Sequence, residues 1–494
     1  MKEALLACVL VGPAVGAAGD GGGQLRIAVD DELALAVDAT QKAYEVKVWG
    51  LGETLTRVTR QGKVVPWLAE SVKNVDPLTW RVTLRKNAKF WDGTPVSAEA
   101  VAASFRKNWE IQNDADPLVS KQTQVSVVDP VTLDFKTPRP TGAFANQISY
   151  QQFVVHKNGT LMTGAYRPVA YEPDRSLTLE GFRDHWNGPA PISRIAFTMI
   201  PDAERRLNAL LTGAADMVYG MPAELLSRVS KADYEISSIP SKKLIFMQYN
   251  LARPPFDDRR VRQATSLAID RPALLKEVLG RQGAAATSLF PTNVGVEVAT
   301  IQSTNLARAR RLLEEAGWGV GADGVRVKDG RRLAIVIHAA QAAQQIRLMM
   351  PLAVAIQKQL QPLGYEVKVE EVTNVLKLAQ SGEFFAVMRA INTLPTGDPY
   401  YLLRAMLSKE GRTNQGGYSN PRLEPMLEQL YGEMDPAKRQ ARSREIQQIA
   451  GEDAPSAFLV FTPINIIWRR GKLVGFVPGP NNESIIDGSF SVTP

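Results

Sequence analysis

The residues best suited to chemistry are few and scattered. The three imidazoles, His156, His185 and His338, lie far apart, and no HExxH pattern occurs. A transition-metal site built from side chains needs several donors converging at set spacing, so no resident metal or other cofactor is expected. Cys8 is the sole cysteine, which excludes an intrachain disulfide and a thiolate metal site. No GxSxG, no GxxxxGK[ST] and no Ser/His/Asp set can be assembled. "GVGADG", Gly319 to Gly324, matches GxGxxG. A dinucleotide fingerprint needs a strand before it and a helix after it, whereas here a helix precedes and a hairpin strand follows. The expectation is therefore a loop, and a protein that is not an enzyme. What remains are aromatic residues beside turns: Trp67, Phe90, Trp91, Tyr249, Tyr400, Tyr401 and Tyr418. Rigid aromatic walls with a few polar groups suit the holding of a ligand rather than its conversion.

Charge points the same way. The 58 basic and 51 acidic residues leave a net charge of +7. The basic pairs, such as Arg205-Arg206 and Arg469-Arg470, are spread along the chain and never grow into a run. A nucleic-acid surface requires a concentrated patch, so no nucleic-acid partner is expected. The mild excess weakly favours anionic cargo.

The elements that must position these residues read as mixed α/β. "QLRIAV" alternates as a strand, and so does "TWRVTL". Asp92-Gly93 marks a turn, Ser97 caps a helix through "VSAEAVAASF", and Asp129-Pro130 turns a hairpin. "KLIFMQYNL", from Lys243 to Leu251, reads as a strand, and "LMMPLAVAIQKQL" as a helix stopped at Gly364. A chain of 494 residues exceeds one core. No Pro/Gly-rich linker divides it, so the expectation is lobes joined by strands that cross between them.

The chain opens "MKEALLACVLVGPAVGAAGDGGG": a lysine, an apolar run and small residues. This is the layout of an export signal over residues 1–18. "LLAC" is similar to a lipobox, but Cys8 comes early and the apolar run continues past it, so plain export to the periplasm is expected. No later stretch reaches the ~18 apolar residues of a membrane span.

"VVPWLAESVKNVDPLTWRVTLRKNAKFWDGTPVSAEAVAASF" resembles the signature of extracytoplasmic solute-binding proteins of the peptide/nickel class, family 5. "MTGAYRPVAYEPDRSLTLEGFRDHWNGPAPISRIAFTMIPDAERRLNALLTGAADMV", "FMQYNLARPPFDDRRVRQATSLAIDRPALL", "ARRLLEEAGW" and "GGYSNPRLEPML" follow in the family's order. The resemblance implies a two-lobed α/β periplasmic-binding-protein type II fold, with a small α/β domain added to the first lobe. It places lobe I at 24–50, 177–247 and 466–494, the accessory unit at 51–176 and lobe II at 248–465. It also implies a monomer that closes on a small-molecule or peptide cargo and docks on the transmembrane permease of an ABC importer.

Peptide binders of this family carry a Trp-x-(Ala/Gly)-Asp stretch after the strand equivalent to "FFAVMRA", whose aspartate anchors a peptide amino terminus. Here "INTLPTGDPYYLL" has no tryptophan, and Pro395 stands about where that aspartate would be. "VVPWLAES", "MIPDAERR" and "DMVYG" are closer to the nickel branch, which takes metal wrapped in small carboxylate chelators. The expected cargo is accordingly a metal chelate or an amine-blocked or anionic peptide-like solute. A conventional di- or oligopeptide receptor is the alternative, and a periplasmic sensor subunit or peptide-holding chaperone is the reading from another class. Arg389 and Asn392 are expected to grip a carboxylate, with Tyr249, Tyr400 and Tyr418 as candidate walls. Any metal would arrive only as part of the cargo. Asp398-Pro399 matches a family Asp-Pro read as structural, and Asn250 a backbone-pinning asparagine.

Overall fold

The computed structural model describes residues 23–30, 33, 35, 43–111, 118–292, 296, 301–340, 348–479, 486 and 488–493. The expected export signal and Cys8 lie outside the described residues. No helix among the described residues is long and apolar enough to cross a membrane.

An eleven-stranded sheet runs through both lobes. From the second-lobe edge its order is Glu366–Glu371, Ala334–Ala339, Ala386–Asn392, Tyr234–Tyr249, Ser456–Arg469, Met217–Tyr219, Gln24–Val29, Arg194–Met199, Ser176–Gly181 and Tyr166–Glu172. The eleventh strand, Ala284–Ala285, pairs with Ser456–Arg469. Tyr234–Tyr249 and Ser456–Arg469 are the long members, paired antiparallel along most of their length. The "KLIFMQYNL" expectation caught only the second-lobe half of the first. The register slips between Pro240 and Leu244, opposite Phe461 and Pro463. Proline cannot donate to the ladder, so the sheet is weakened where these strands pass from one lobe to the other. The two-lobed type II architecture is thus present, with crossing strands in place of a linker.

Cores on either side of the slip mark the lobes. In the first, Gln24–Val29 pairs parallel with both neighbours and is covered on both faces, as parallel strands must be. Leu25, Ile27 and Val29 face one core, and Ala28 faces the helix carrying Leu207 and Leu210. In the second, Ile245, Met247 and Tyr249 face one core while Leu244 and Phe246 face the other. Leu244 and Phe461 belong to a second-lobe core, but Ile464 and Ile466 belong to the first. The crossovers therefore fall a few residues before the expected 248 and 465.

The accessory unit is an antiparallel sheet of Ala69–Asp76, Thr79–Leu84, Thr132–Lys136 and Gln124–Asp129 against the helix Ala98–Ile111. Ser97 Oγ caps that helix, accepting from the Ala100 amide at 3.2 Å. Val101 and Phe105 pack inward. Gly93 takes φ +82°, and Asp92 accepts from the Thr94 amide, closing the turn. Phe90 packs inside the accessory core, while Trp91 packs against the first-lobe core and donates Nε1 to the Gly164 carbonyl at 2.9 Å. This aromatic pair thus bolts the two units together. Tyr166–Glu172, expected within the accessory unit, instead forms the edge of the large sheet because it pairs with Ser176–Gly181.

Candidate functional site

The two lobes touch along a seam carried by the accessory segment 139–150. Asn146 Nδ2 donates to the Thr396 carbonyl at 3.0 Å, and Thr141 Oγ1 lies 3.2 Å from the Tyr431 hydroxyl. The Gly142 amide donates to the Tyr431 carbonyl at 2.9 Å. Arg139 pairs with Glu428 and stacks over the Tyr431 ring, 4.0 Å from its centroid. Tyr401, on the helix Tyr400–Leu407, reaches across to pack with the accessory core. It lies beside Tyr150, with ring centroids 5.8 Å apart.

On the second-lobe side, strand Ala386–Asn392 pairs with the crossing strand, which sets Arg389 opposite Phe246. Arg389 is half-buried. Its Nη1 donates to Gln415 Oε1 at 2.9 Å and to Gln248 Oε1 at 3.3 Å. Both glutamines are fixed in turn. Gln248 Nε2 donates to the Thr413 carbonyl at 2.6 Å, and Gln415 Nε2 to the Arg412 carbonyl at 2.5 Å. The loop they hold lies tight on the sheet, since a Cβ on Gly416 would collide with the Tyr249 carbonyl. Burial pulls the Arg389 guanidinium down to about 10, and the Arg412 charge adds to this. Among the described residues no carboxylate pairs with Arg389. Asn392 ends the same strand, its Oδ1 3.4 Å from the Leu394 amide.

The three tyrosines expected as walls are not brought there. Tyr249 is fully buried and stacked on Phe256, 4.3 Å between centroids, because it shares the strand face of Ile245 and Met247. Tyr418 is buried, its hydroxyl donating to Asp453 at 2.7 Å and its backbone pinned by Asn414. Tyr400 packs edge-on against Tyr431, 5.0 Å between centroids. Its neighbour Tyr401 is the one at the seam. Asp398 is a buried ion-pair partner of Arg439, at 2.6 and 2.7 Å from Nη2, in keeping with a structural Asp-Pro. Asn250 donates to the carbonyls of Gly382 and Phe384 and so pins backbone.

Sequence reasoning missed a pocket on the first-lobe side. It holds about 400 Å³, its open mouth included, and is lined by Lys47, Gly50, Gly52, Glu53, Thr54, Arg57, Trp67, Ala165 and Ile486. It borders the seam segment: Lys47 Nζ donates to the Ser149 carbonyl at 2.6 Å, and Thr56 Oγ1 to that of Ala145 at 2.7 Å. Arg57 lies over the Trp67 ring, 3.3 Å from its centroid. Glu53 is engaged by His185 Nε2 at 3.1 Å and by the Trp186 indole. No motif announces this pocket; Trp67 beside a turn was its one visible member. Among the described residues, no group of three or more His, Cys, Asp or Glu could hold a metal ion.

The model for bacterial extracellular solute-binding proteins, family 5 (middle), matches residues 63–414. The chain is 27% identical over 455 residues to the "Nickel-binding periplasmic protein" of Escherichia coli (strain K12), covering 84% of this chain and 83% of that one. It is 25% identical over 448 residues to the "Glutathione-binding protein GsiB" of Pectobacterium atrosepticum, covering 85% and 84%. Its fold is similar to that of NikA from Brucella suis in complex with Fe(III)-EDTA, with a TM-score of 0.83 at 21% identity, covering 95% of this chain and 100% of that one. The chain belongs to the bacterial extracellular solute-binding proteins of family 5.

Proposed function

We propose that this chain is the periplasmic cargo receptor of an ABC importer, taking an anionic small solute between its lobes and handing it unaltered to a transmembrane permease. The cargo class is a metal chelate or an amine-blocked, carboxylate-bearing peptide-like solute. One observation carries the reading: among the described residues, Arg389 is a half-buried cation held by two neutral glutamine oxygens and no carboxylate. A desolvated guanidinium without a carboxylate is costly in the empty protein and is offset by an anion that arrives with the cargo. Asp398, the acid nearest in sequence to the absent amine anchor, is already spent on Arg439. Relatives bearing nickel-binding and glutathione-binding names are consistent with such cargo. Cargo held on both sides of the seam favours the closed form by its differential affinity, and the role needs no covalent step.

Native mass spectrometry of the protein purified from its own host tests this. A retained anionic mass, with or without a nickel, cobalt or zinc isotope pattern, is the expected result. A spread of free-amine peptide masses contradicts it.

A further inference from the structure

The guanidinium of Arg412 stands at the same site and is left unused by the reading above. It is exposed and lies over the Tyr401 ring, 4.7 Å from the centroid. Its backbone carbonyl accepts from Gln415, the residue whose other amide atom accepts from Arg389. One glutamine thus ties the Arg389 guanidinium to the Arg412 backbone. Among the described residues neither arginine has a carboxylate partner. Among the described residues the hydrogen bonds of Arg389 run from Nη1, leaving Nε and Nη2 for a ligand. The Arg412 charge acts on Arg389, lowering its pKa alongside burial, so the two cations repel each other when no anion lies between them. A ligand with one negative charge cancels one of them, and a ligand with two cancels both. Resting on the anion reading of the same site, we infer that Arg412 is a second cargo cation. Paired with Arg389, it selects a cargo group carrying two negative charges over a similarly shaped group carrying one.

Tyr401 gives this selection a route to lobe closure. Its ring is shared between Arg412 on one side and Tyr150 of the first lobe on the other. Arg412 therefore sits where the cargo charge and the seam meet. Arg389 is held by two amides, whereas the exposed Arg412 side chain rests on the Tyr401 ring, so the inferred roles differ: a preformed anchor and an arm recruited from the ring by the ligand.

The test compares two inert six-coordinate complexes of nearly equal shape, Ni(II)-EDTA with charge −2 and Co(III)-EDTA with charge −1. Binding is measured by calorimetry on the full chain emptied of its own cargo. The unsubstituted protein is expected to prefer the dianion by about two- to fivefold at low salt. Arg412→Gln is expected to bring that ratio close to one by weakening the dianion alone, and Arg412→Lys to keep most of it. Arg389→Gln should weaken both complexes. The inference is overturned if the unsubstituted protein binds neither complex or binds both equally. It is also overturned if Arg412→Gln weakens both alike. The receptor reading is judged separately, by the mass of the solute retained from the host, so the two can fail independently.

Discussion

Tyr150 of the first lobe and Tyr401 of the second meet ring to ring, 5.8 Å between centroids, beside the guanidinium of Arg412. The inferred cargo cation and the lobe contact are therefore neighbours, and substitutions on each side of this contact are expected to have separable consequences.

Arg389→Ala is expected to weaken cargo binding by about 2–4 kcal/mol, as removal of one partner of a buried charge pair does. The emptied protein should be no less stable, because the change removes a desolvated cation whose partners are neutral. Calorimetry and urea unfolding read the two effects. A lower unfolding midpoint with unchanged affinity would make Arg389 a framework residue.

Asp398→Ala should do the reverse. It strands Arg439 as a buried unpaired cation, at a cost of about 3–5 kcal/mol of folding stability. Replacing both members of the pair with apolar residues should recover most of that loss. If the single change leaves the urea midpoint in place, the pair does not hold the second lobe together.

Gly142→Val addresses closure. A Cβ at Gly142 would overlap the Glu433 carbonyl of the second lobe. The variant should fold normally but resist closing, so affinity falls while the radius of gyration with cargo stays near that of the empty protein. Scattering curves matching the unsubstituted, cargo-bound form would show that this contact does not gate the seam.

His156 predicts a pH dependence. It is buried, its Nδ1 accepting from the Gly159 amide at 3.0 Å and its Nε2 lying 2.8 Å from Asn108 Oδ1. Burial, with a contribution from Lys107, pushes the imidazole down to about 4 from its ordinary 6.5. Between those values the unfolded chain binds a proton that the folded chain refuses. Stability is therefore full above pH 6.5 and falls as pH drops toward 4, by at most about 1.4 kcal/mol per pH unit. His156→Gln should flatten this part of the curve relative to the parent. Identical slopes from pH 7 to 5 would contradict the assignment.

Much of this fold was legible in the sequence because the decisive signals are local. The Asp92-Gly93 turn, the Ser97 cap and the Asp129-Pro130 hairpin depend on side chains within a few residues of one another. The crossing strand was half hidden because Ser237, Ser238 and Pro240 break its apolar pattern where it enters the first lobe. Apart from Gln248, "LIFMQY" is apolar on both faces, so its alternation could not tell a wall from a core, and Tyr249 went to the core with Ile245 and Met247. At the start of the Tyr400–Leu407 helix the side of the cylinder decides the role, which separates Tyr401 at the seam from Tyr400 behind it. The Lys47–Arg57–Trp67 pocket needs residues from different elements brought together by tertiary packing. No spacing rule reaches that far.

Small-angle scattering of the emptied protein, before and after refilling with the solute it retains from its host, measures the central claim most directly. The account predicts a smaller radius of gyration on refilling, reversed when the solute leaves, and a solute recovered chemically unchanged. Superimposable curves, or recovery of an altered molecule, would contradict it.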